Sequence, residues 1–80
     1  MMIYLTRITP RGHERYYKII STQNLFGEFL VIREYGNTSY KKPTRTLEKC
    51  FESQEESTRF FINIKNKKIH RGYVGLQKCA

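Results

Sequence analysis

The chain has 80 residues, 39% hydrophobic and 14% aromatic, and its 15 Lys and Arg against 7 Asp and Glu give a net charge of +8. A chain this short buries only about 60% of the surface it exposes when unfolded. That supplies one core and excludes a second domain or a deep substrate cleft, while the basic excess points to polyanionic partners rather than to any fold.

Residues 2–9, MIYLTRIT, are rich in β-formers and run into Thr9-Pro10-Arg11-Gly12, a turn signature. Residues 14–21, ERYYKIIS, predict a second strand, with Tyr16, Lys18 and Ile20 on one face and Arg15, Tyr17 and Ile19 on the other. Thr22-Gln23-Asn24 breaks it. The third strand lies in LFGEFLVIREYGN, residues 25–37, where Phe29-Leu30-Val31-Ile32 predicts a central strand buried on both faces. Gly36 to Pro43 reads as a loop, and TRTLEKCF, residues 44–51, as a fourth strand with Leu47 and Lys49 facing opposite Glu48 and Cys50. Ser53-Gln54-Glu55-Glu56 is a capping box, Ser53 capping the helix and Glu56 reaching back. The helix then runs to about His70, burying Phe60, Phe61 and Ile64 with Ser57 or Ile69 at the margins, and Gly72 stops it. Tyr73-Val74-Gly75-Leu76 predicts a short last strand. The expected class is α+β: a mostly antiparallel sheet of four to five strands with one helix, in the C-terminal half of the chain, packed on it.

No stretch approaches the ~18 continuous apolar residues of a membrane span, and the opening Met1–Arg7 breaks too early for a secretory signal. Cys50 and Cys79 lie far apart without a CxxC pairing, which predicts reduced thiols in a cytoplasmic protein and no zinc site. His13 and His70 read as surface residues of a turn and a helix end, with nothing fixing them as an acid–base pair.

After Glu56 the chain carries Arg59, Lys65, Lys67, Lys68, Arg71 and Lys78 and no acid. Bases in the last helical turn complement the helix dipole, at about 0.3–1 kcal/mol each. No dipole asks for Lys41, Lys42 and Arg45, which share an acid-free loop with Tyr35 and Tyr40. Rings interleaved with cations are the composition expected where aromatics stack on nucleotides and cations hold phosphates.

The pieces "YLTRI", "RYYKI", "LFGEFLVIREYGN", "F-x-S-x-x-E" and "K-x-x-R-G-Y" occur in an order and spacing that resemble the WGR domain. That family is named for a Trp-Gly-Arg motif and found in DNA-dependent poly(ADP-ribose) polymerases and small bacterial proteins. Leu25-Phe26-Gly27-Glu28-Phe29 running into Arg33-Glu34-Tyr35-Gly36 is similar to the bacterial form "LFGEW…REWGR". The resemblance implies one domain over residues 1–80, a central antiparallel sheet with a packed helix, no catalytic residues, no cofactor or metal, and binding to DNA ends. It implies that Tyr35 stands for the Trp that packs on the terminal nucleotide, Gly36 for the shared glycine, and Asn37 for the phosphate-holding Arg. Tyr73 stands where the family's phosphate-contacting Tyr would be.

Tyr for Trp keeps a flat ring with less stacking area. Asn for Arg loses the charge and the bidentate fork. The expected partner is DNA, at ends, nicks or along duplex without base readout, with no membrane and no small-molecule substrate. Lys41, Lys42 and Arg45 are the expected phosphate contacts, Tyr35 the stacking group, and Arg71 with Tyr73 a second phosphate-side pair. The alternative is a protein-interaction module whose acidic partner matches the same basic face, and RNA is a third partner class. For Gly36-Asn37 a turn chosen for positive φ is a further alternative, and Tyr73 alternatively packs back on the helix.

Overall fold

A computed structural model describes residues 1–75. Five strands and one helix follow in chain order: β1 (Met2–Ile8), β2 (Glu14–Gln23), β3 (Phe29–Asn37), β4 (Arg45–Phe51), α1 (Gln54–His70) and β5 (Val74–Gly75). The first four strands form an antiparallel meander, and α1 carries the chain across the sheet so that β5 pairs with the outer edge of β1, in the order β4-β3-β2-β1-β5. The expected α+β class is what the chain adopts. Leu76, the end of the predicted last strand, lies outside the described residues, as do Lys78 and Cys79.

Turn chemistry sets the first two hairpins. Gly12 takes φ +83° and donates its N–H to the Thr9 carbonyl at 2.8 Å, while Thr9 donates to the carbonyl of His13. In the second turn Asn24 Oδ1 accepts from the N–H groups of Phe26 (2.9 Å) and Glu28 (3.0 Å), a side chain standing in for a backbone turn. This tip holds Leu25 and Phe26 almost wholly in solvent.

The pairing registers have one property that organises the sheet. Leu5 lies opposite Tyr17, Tyr17 opposite Tyr35, and Tyr35 opposite Arg45, so odd-numbered residues pair with odd across every strand. Side chains alternate between faces, and the odd positions face α1. The core is the odd set Leu5, Tyr17, Ile19 and Val31 closed by Phe61 and Ile64 of the helix, with Ile3, Tyr35, Phe51, Phe60 and Tyr73 packed around it. The even face carries no helix among the described residues. The expectation that β3 is buried on both faces therefore fails: Val31 is fully buried, but Leu30 and Ile32 on the even side stay partly exposed. β3 is nonetheless an interior strand, flanked by β2 and β4.

Ser53 caps α1 as expected, its hydroxyl accepting from the Glu56 N–H at 3.5 Å. Among the described residues the Glu56 carboxylate does not return the bond, so half of the capping box forms. The helix ends in a Schellman closure, with Gly72 at φ +101° donating to the Ile69 carbonyl and Tyr73 to that of Lys68. Ser57 is buried rather than marginal, its hydroxyl donating to the Gln54 carbonyl at 2.9 Å, whereas Phe60 is half-buried and Ile69 lies 47% exposed.

Candidate nucleic-acid interface

Because odd positions face the helix, the charge of the strands sorts by parity. Every strand arginine is odd (Arg7, Arg15, Arg33, Arg45), and so is Lys49, whereas every strand acid is even (Glu14, Glu34, Glu48). The helix side of the sheet thus carries cations without a carboxylate. Among the described residues the one ion pair lies elsewhere, between Arg59 and Glu55 on the helix surface at 3.0 Å.

The helix covers only part of this side. Its first half packs on the β4 edge, where Phe60 meets Phe51 at 5.3 Å and Lys49 Nζ sits 4.9 Å over the Phe60 ring. Arg33 lies 5.5 Å over the same ring. Its last turn ends over Tyr17, with Lys68 Nζ 4.5 Å above the ring centroid. Tyr17 is the hub: it stacks on Tyr35 at 5.4 Å with the rings 4° from parallel and meets Tyr73 edge-on at 6.2 Å. Burial raises the Tyr17 pKa, with Arg33 pulling the other way. Burial also lowers that of Lys68, aided by Arg71 and Arg33 nearby.

Beyond this cluster the odd side continues uncovered. Arg45 stands opposite Tyr35, and one step further along the strands Arg7, Arg15 and Asn37 form a row across β1, β2 and β3. Arg7 reaches the turn that ends the helix, since a Cβ on Gly72 would sit 3.9 Å from its Nε. The arrangement places aromatic rings in the middle and cations on both flanks, a surface suited to a backbone of alternating rings and phosphates.

The predicted residues divide. Tyr35, Asn37, Arg45 and Tyr73 lie on the helix side, with Arg71 at the helix end beside Lys68. Gly36 faces the opposite side: a Cβ there would fall 2.8 Å from the Thr44 nitrogen and 3.4 Å from the Pro43 Cα. The segment between β3 and β4 therefore folds against the even face at Gly36, held by the Thr44 N–H donating to the Tyr35 carbonyl at 2.9 Å. Lys41 and Lys42 sit exposed in that segment, and no contact brings them to Tyr35 or Asn37.

Two expectations about Gly36-Asn37 are corrected. Both residues belong to β3, paired with Tyr16 and Arg15, rather than to a loop. Neither has positive φ, which among the described residues occurs only at Gly12, Gly27 and Gly72. Asn37 does organise the turn that follows, its Oδ1 accepting from the Ser39 N–H at 2.8 Å.

A family model of the WGR domain matches residues 1–79. The chain belongs to the WGR family. WGR domains are nucleic-acid-binding modules, not catalytic ones. One curated relative, the uncharacterized protein y4dW of Sinorhizobium fredii (strain NBRC 101917 / NGR234), is 31% identical over 72 residues, which make up 89% of this chain and 34% of that protein. The chain thus spans about a third of that relative's length. No solved structure matches it.

Gly36 is needed for the close approach of Thr44, the Tyr35 ring lies flat against that of Tyr17, and Asn37 brings an amide rather than a cation to the end of β3. Sequence reasoning missed Tyr17, Lys68, Arg7, Arg15 and Arg33. The signal that finds them is the shared parity of the strand arginines, which becomes visible once the pairing register is known. The helix is neither long nor apolar enough to cross a membrane.

Proposed function

We propose that this WGR domain binds DNA at ends or strand breaks, through phosphate contacts and aromatic stacking and without reading base edges. The observation that carries the proposal is the sorting of charge. Four arginines and a lysine share the helix side of the sheet with the Tyr17–Tyr35–Tyr73 cluster, and no strand acid joins them. On this reading the exposed part of the Tyr35 ring packs on a terminal nucleotide, its other side being backed by Tyr17. Arg45 holds a backbone phosphate, Arg71 and Tyr73 flank the end, and Lys41 and Lys42 add phosphate contacts from their own segment. Gly36 serves by shaping the strand exit, and Asn37 offers an amide to the phosphate. The chain acts as one non-catalytic domain over residues 1–80, without cofactor or metal, in the cytoplasm.

The test is fluorescence anisotropy with a nicked duplex whose outer ends are capped. The nick carries a 5′ phosphate or a 5′ hydroxyl, beside an unbroken control, and each probe is measured at two salt concentrations. The proposal expects tighter binding to the nicked probes and a log–log salt slope of about 0.9 per neutralised phosphate. Equal binding to all three overturns end recognition and leaves a basic duplex-binding surface. An acidic protein partner is the second reading, favoured by Asn37 at the position of the motif Arg, and absence of DNA binding at physiological salt directs the search there.

A further inference from the structure

The even face of the sheet, which no helix covers among the described residues, is apolar at its centre. Met2, Ile20 and Ile32 stand in one row across β1, β2 and β3. Leu30 occupies the next row, between Thr22 and Cys50. Met2 is 62% exposed, and Ile20, Leu30 and Ile32 are half-buried. The solvent side of an antiparallel sheet ordinarily turns polar residues outward. A contiguous apolar patch with a polar border instead marks an interaction surface. The segment that folds against this face does so at Gly36, four residues from Ile32 and thus about 13 Å further along β3.

The border of the patch is acidic. Glu48 lies directly opposite Ile32, and among the described residues it has no cation within ion-pair distance. Glu28 reaches the same side, since Cys50 Sγ donates to its Oε2 at 3.3 Å and Asn24 Nδ2 to its Oε1 at 3.1 Å. Both donors are neutral, so they hold the carboxylate in place without cancelling its charge. Glu34 accepts from the Tyr16 hydroxyl at 3.3 Å and has Lys18 directly opposite. Three carboxylates thus frame the patch against one lysine, in a chain whose net charge is +8. That sign turns away a nucleic-acid backbone or an anionic lipid surface. It also disfavours a second copy, because two such faces would oppose like charges.

We propose that this face, centred on Met2, Ile20, Leu30 and Ile32, docks a basic amphipathic helix of a partner protein. The helix seats its apolar stripe on those residues and sets its lysines or arginines against Glu28, Glu34 and Glu48. A helix is the form that fits, because β1, β2 and β3 are interior strands whose backbone groups are engaged with their neighbours. The face therefore offers side chains alone, and its occupant must satisfy its own backbone, as a helix does. The 17-residue α1 already covers the opposite side, and a second helix completes a helix–sheet–helix layering. The two faces of one sheet then serve partners of opposite charge without competing for a residue. This partner is the reverse of the acidic one considered above, which would engage the odd face.

The test uses the full chain, labelled with nitrogen-15, and no nucleic acid. The probe is a peptide of about 18 residues, long enough as a helix to cross the sheet, made of Leu and Lys with the leucines on one stripe. A peptide of the same composition in scrambled order and a Leu–Glu counterpart are the controls. The Leu–Lys probe is expected to gain helical circular dichroism on binding and to move the amide signals of Ile20, Leu30 and Ile32 saturably. It should bind roughly tenfold more tightly than either control. Glu48→Lys, a reversal at an exposed position, should lower its affinity by a similar factor, and Ile32→Thr should lower it with the fold retained. If Ile32→Thr unfolds the chain, Glu48→Lys carries the test alone. The proposal is overturned if the scrambled or Leu–Glu peptide binds equally well, if Glu48→Lys leaves the affinity unchanged, or if no binding is seen. It is overturned too if the signals of Tyr35 and Arg45 move in place of those on the even face. Shifts at Ile20, Leu30 and Ile32 that grow with protein concentration alone would assign the face to a second copy instead. The same shifts on adding vesicles of uncharged phospholipid would assign it to a membrane surface.

Discussion

Gly36→Ala isolates the physical reason for the glycine near the end of β3. Its φ lies outside the left-handed region, so alanine meets no backbone penalty, and the whole effect comes from the added methyl. That methyl would sit 2.8 Å from the Thr44 nitrogen and 3.1 Å from its Oγ1. The Thr44 nitrogen is backbone, already bonded to the Tyr35 carbonyl at 2.9 Å, so it cannot yield by a side-chain rotation. Overpacking of this kind costs about 1–3 kcal/mol. If the segment instead lifts away, the lost hydrogen bond costs about 1 kcal/mol. Against this, alanine restricts the unfolded chain and returns about 0.4–1 kcal/mol. The net expectation is a destabilisation of about 1 kcal/mol, reaching roughly 2.5 kcal/mol at most, a sizeable share of a total stability on the order of 4–12 kcal/mol for a fold of this length.

Urea unfolding followed by circular dichroism reads the change, with Gly75→Ala as the matched control. At Gly75 the same methyl meets only Leu5 Cδ2, at an ordinary 3.5 Å. A Gly36→Ala midpoint no lower than that of Gly75→Ala would refute the close-approach account of Gly36.

Three further expectations follow from single contacts. Ser53→Ala removes the cap that accepts from Glu56 and should cost about 1 kcal/mol in urea unfolding. Phe26→Ser should leave the unfolding midpoint within about 0.5 kcal/mol of the parent, since the ring is 88% exposed; a larger loss would mean that the hairpin tip packs on something. Burial, the largest cause in each case, raises the pKa values of Tyr4, Tyr16 and Tyr17 above the ordinary 10.0, with Glu34 reinforcing the effect at Tyr4 and Tyr16. The unfolded chain then ionises first, so this stability is complete below pH 10 and is lost as the pH rises through the folded values. Tyrosinate absorbance should show a late-titrating set, and urea midpoints should fall over the same alkaline range.

The elements were legible because their signals are local. Period-2 alternation, the Thr9–Gly12 turn, the Ser53 cap and the Gly72 stop each act within a few residues of where they are read. What was not legible depends on pairing. The exit of β3 read as a loop because Gly36-Asn37 is turn-forming chemistry, yet those residues hydrogen-bond along β2, and tertiary pairing overrides the local preference. Likewise Phe29–Ile32 looked buried on both faces because its apolar run carries no record of how many layers cover the sheet. Position alone singles out Tyr35 and Tyr73 as candidates, whereas Tyr17, whose ring meets both, reads in the sequence only as a residue of one strand face. Arg7 and Arg15 are eight positions apart in sequence, and only the hairpin register makes them neighbours.

The same register separates two explanations of DNA affinity, overall charge and a localised face. The acids Glu55 and Glu56 occupy the first turn of α1, while Lys68 and Arg71 occupy its far end. A helix of this length spans about 25 Å, several times the ~8 Å Debye length at physiological salt. Neutralising both carboxylates with Glu55→Gln and Glu56→Gln raises the net charge by two, yet acts more than a Debye length from the Tyr17 cluster. If the odd face does the binding, DNA affinity at physiological salt should stay within about twofold of the parent, the remote charges being screened. Arg45→Gln, a smaller change in net charge but opposite Tyr35, should weaken binding and reduce the salt slope by about 0.9. Anisotropy with one duplex probe measures both. An Arg45→Gln variant that binds as the parent does, beside a double variant that binds several times more tightly, would mean that affinity follows total charge and that the parity of the arginines has no part in it.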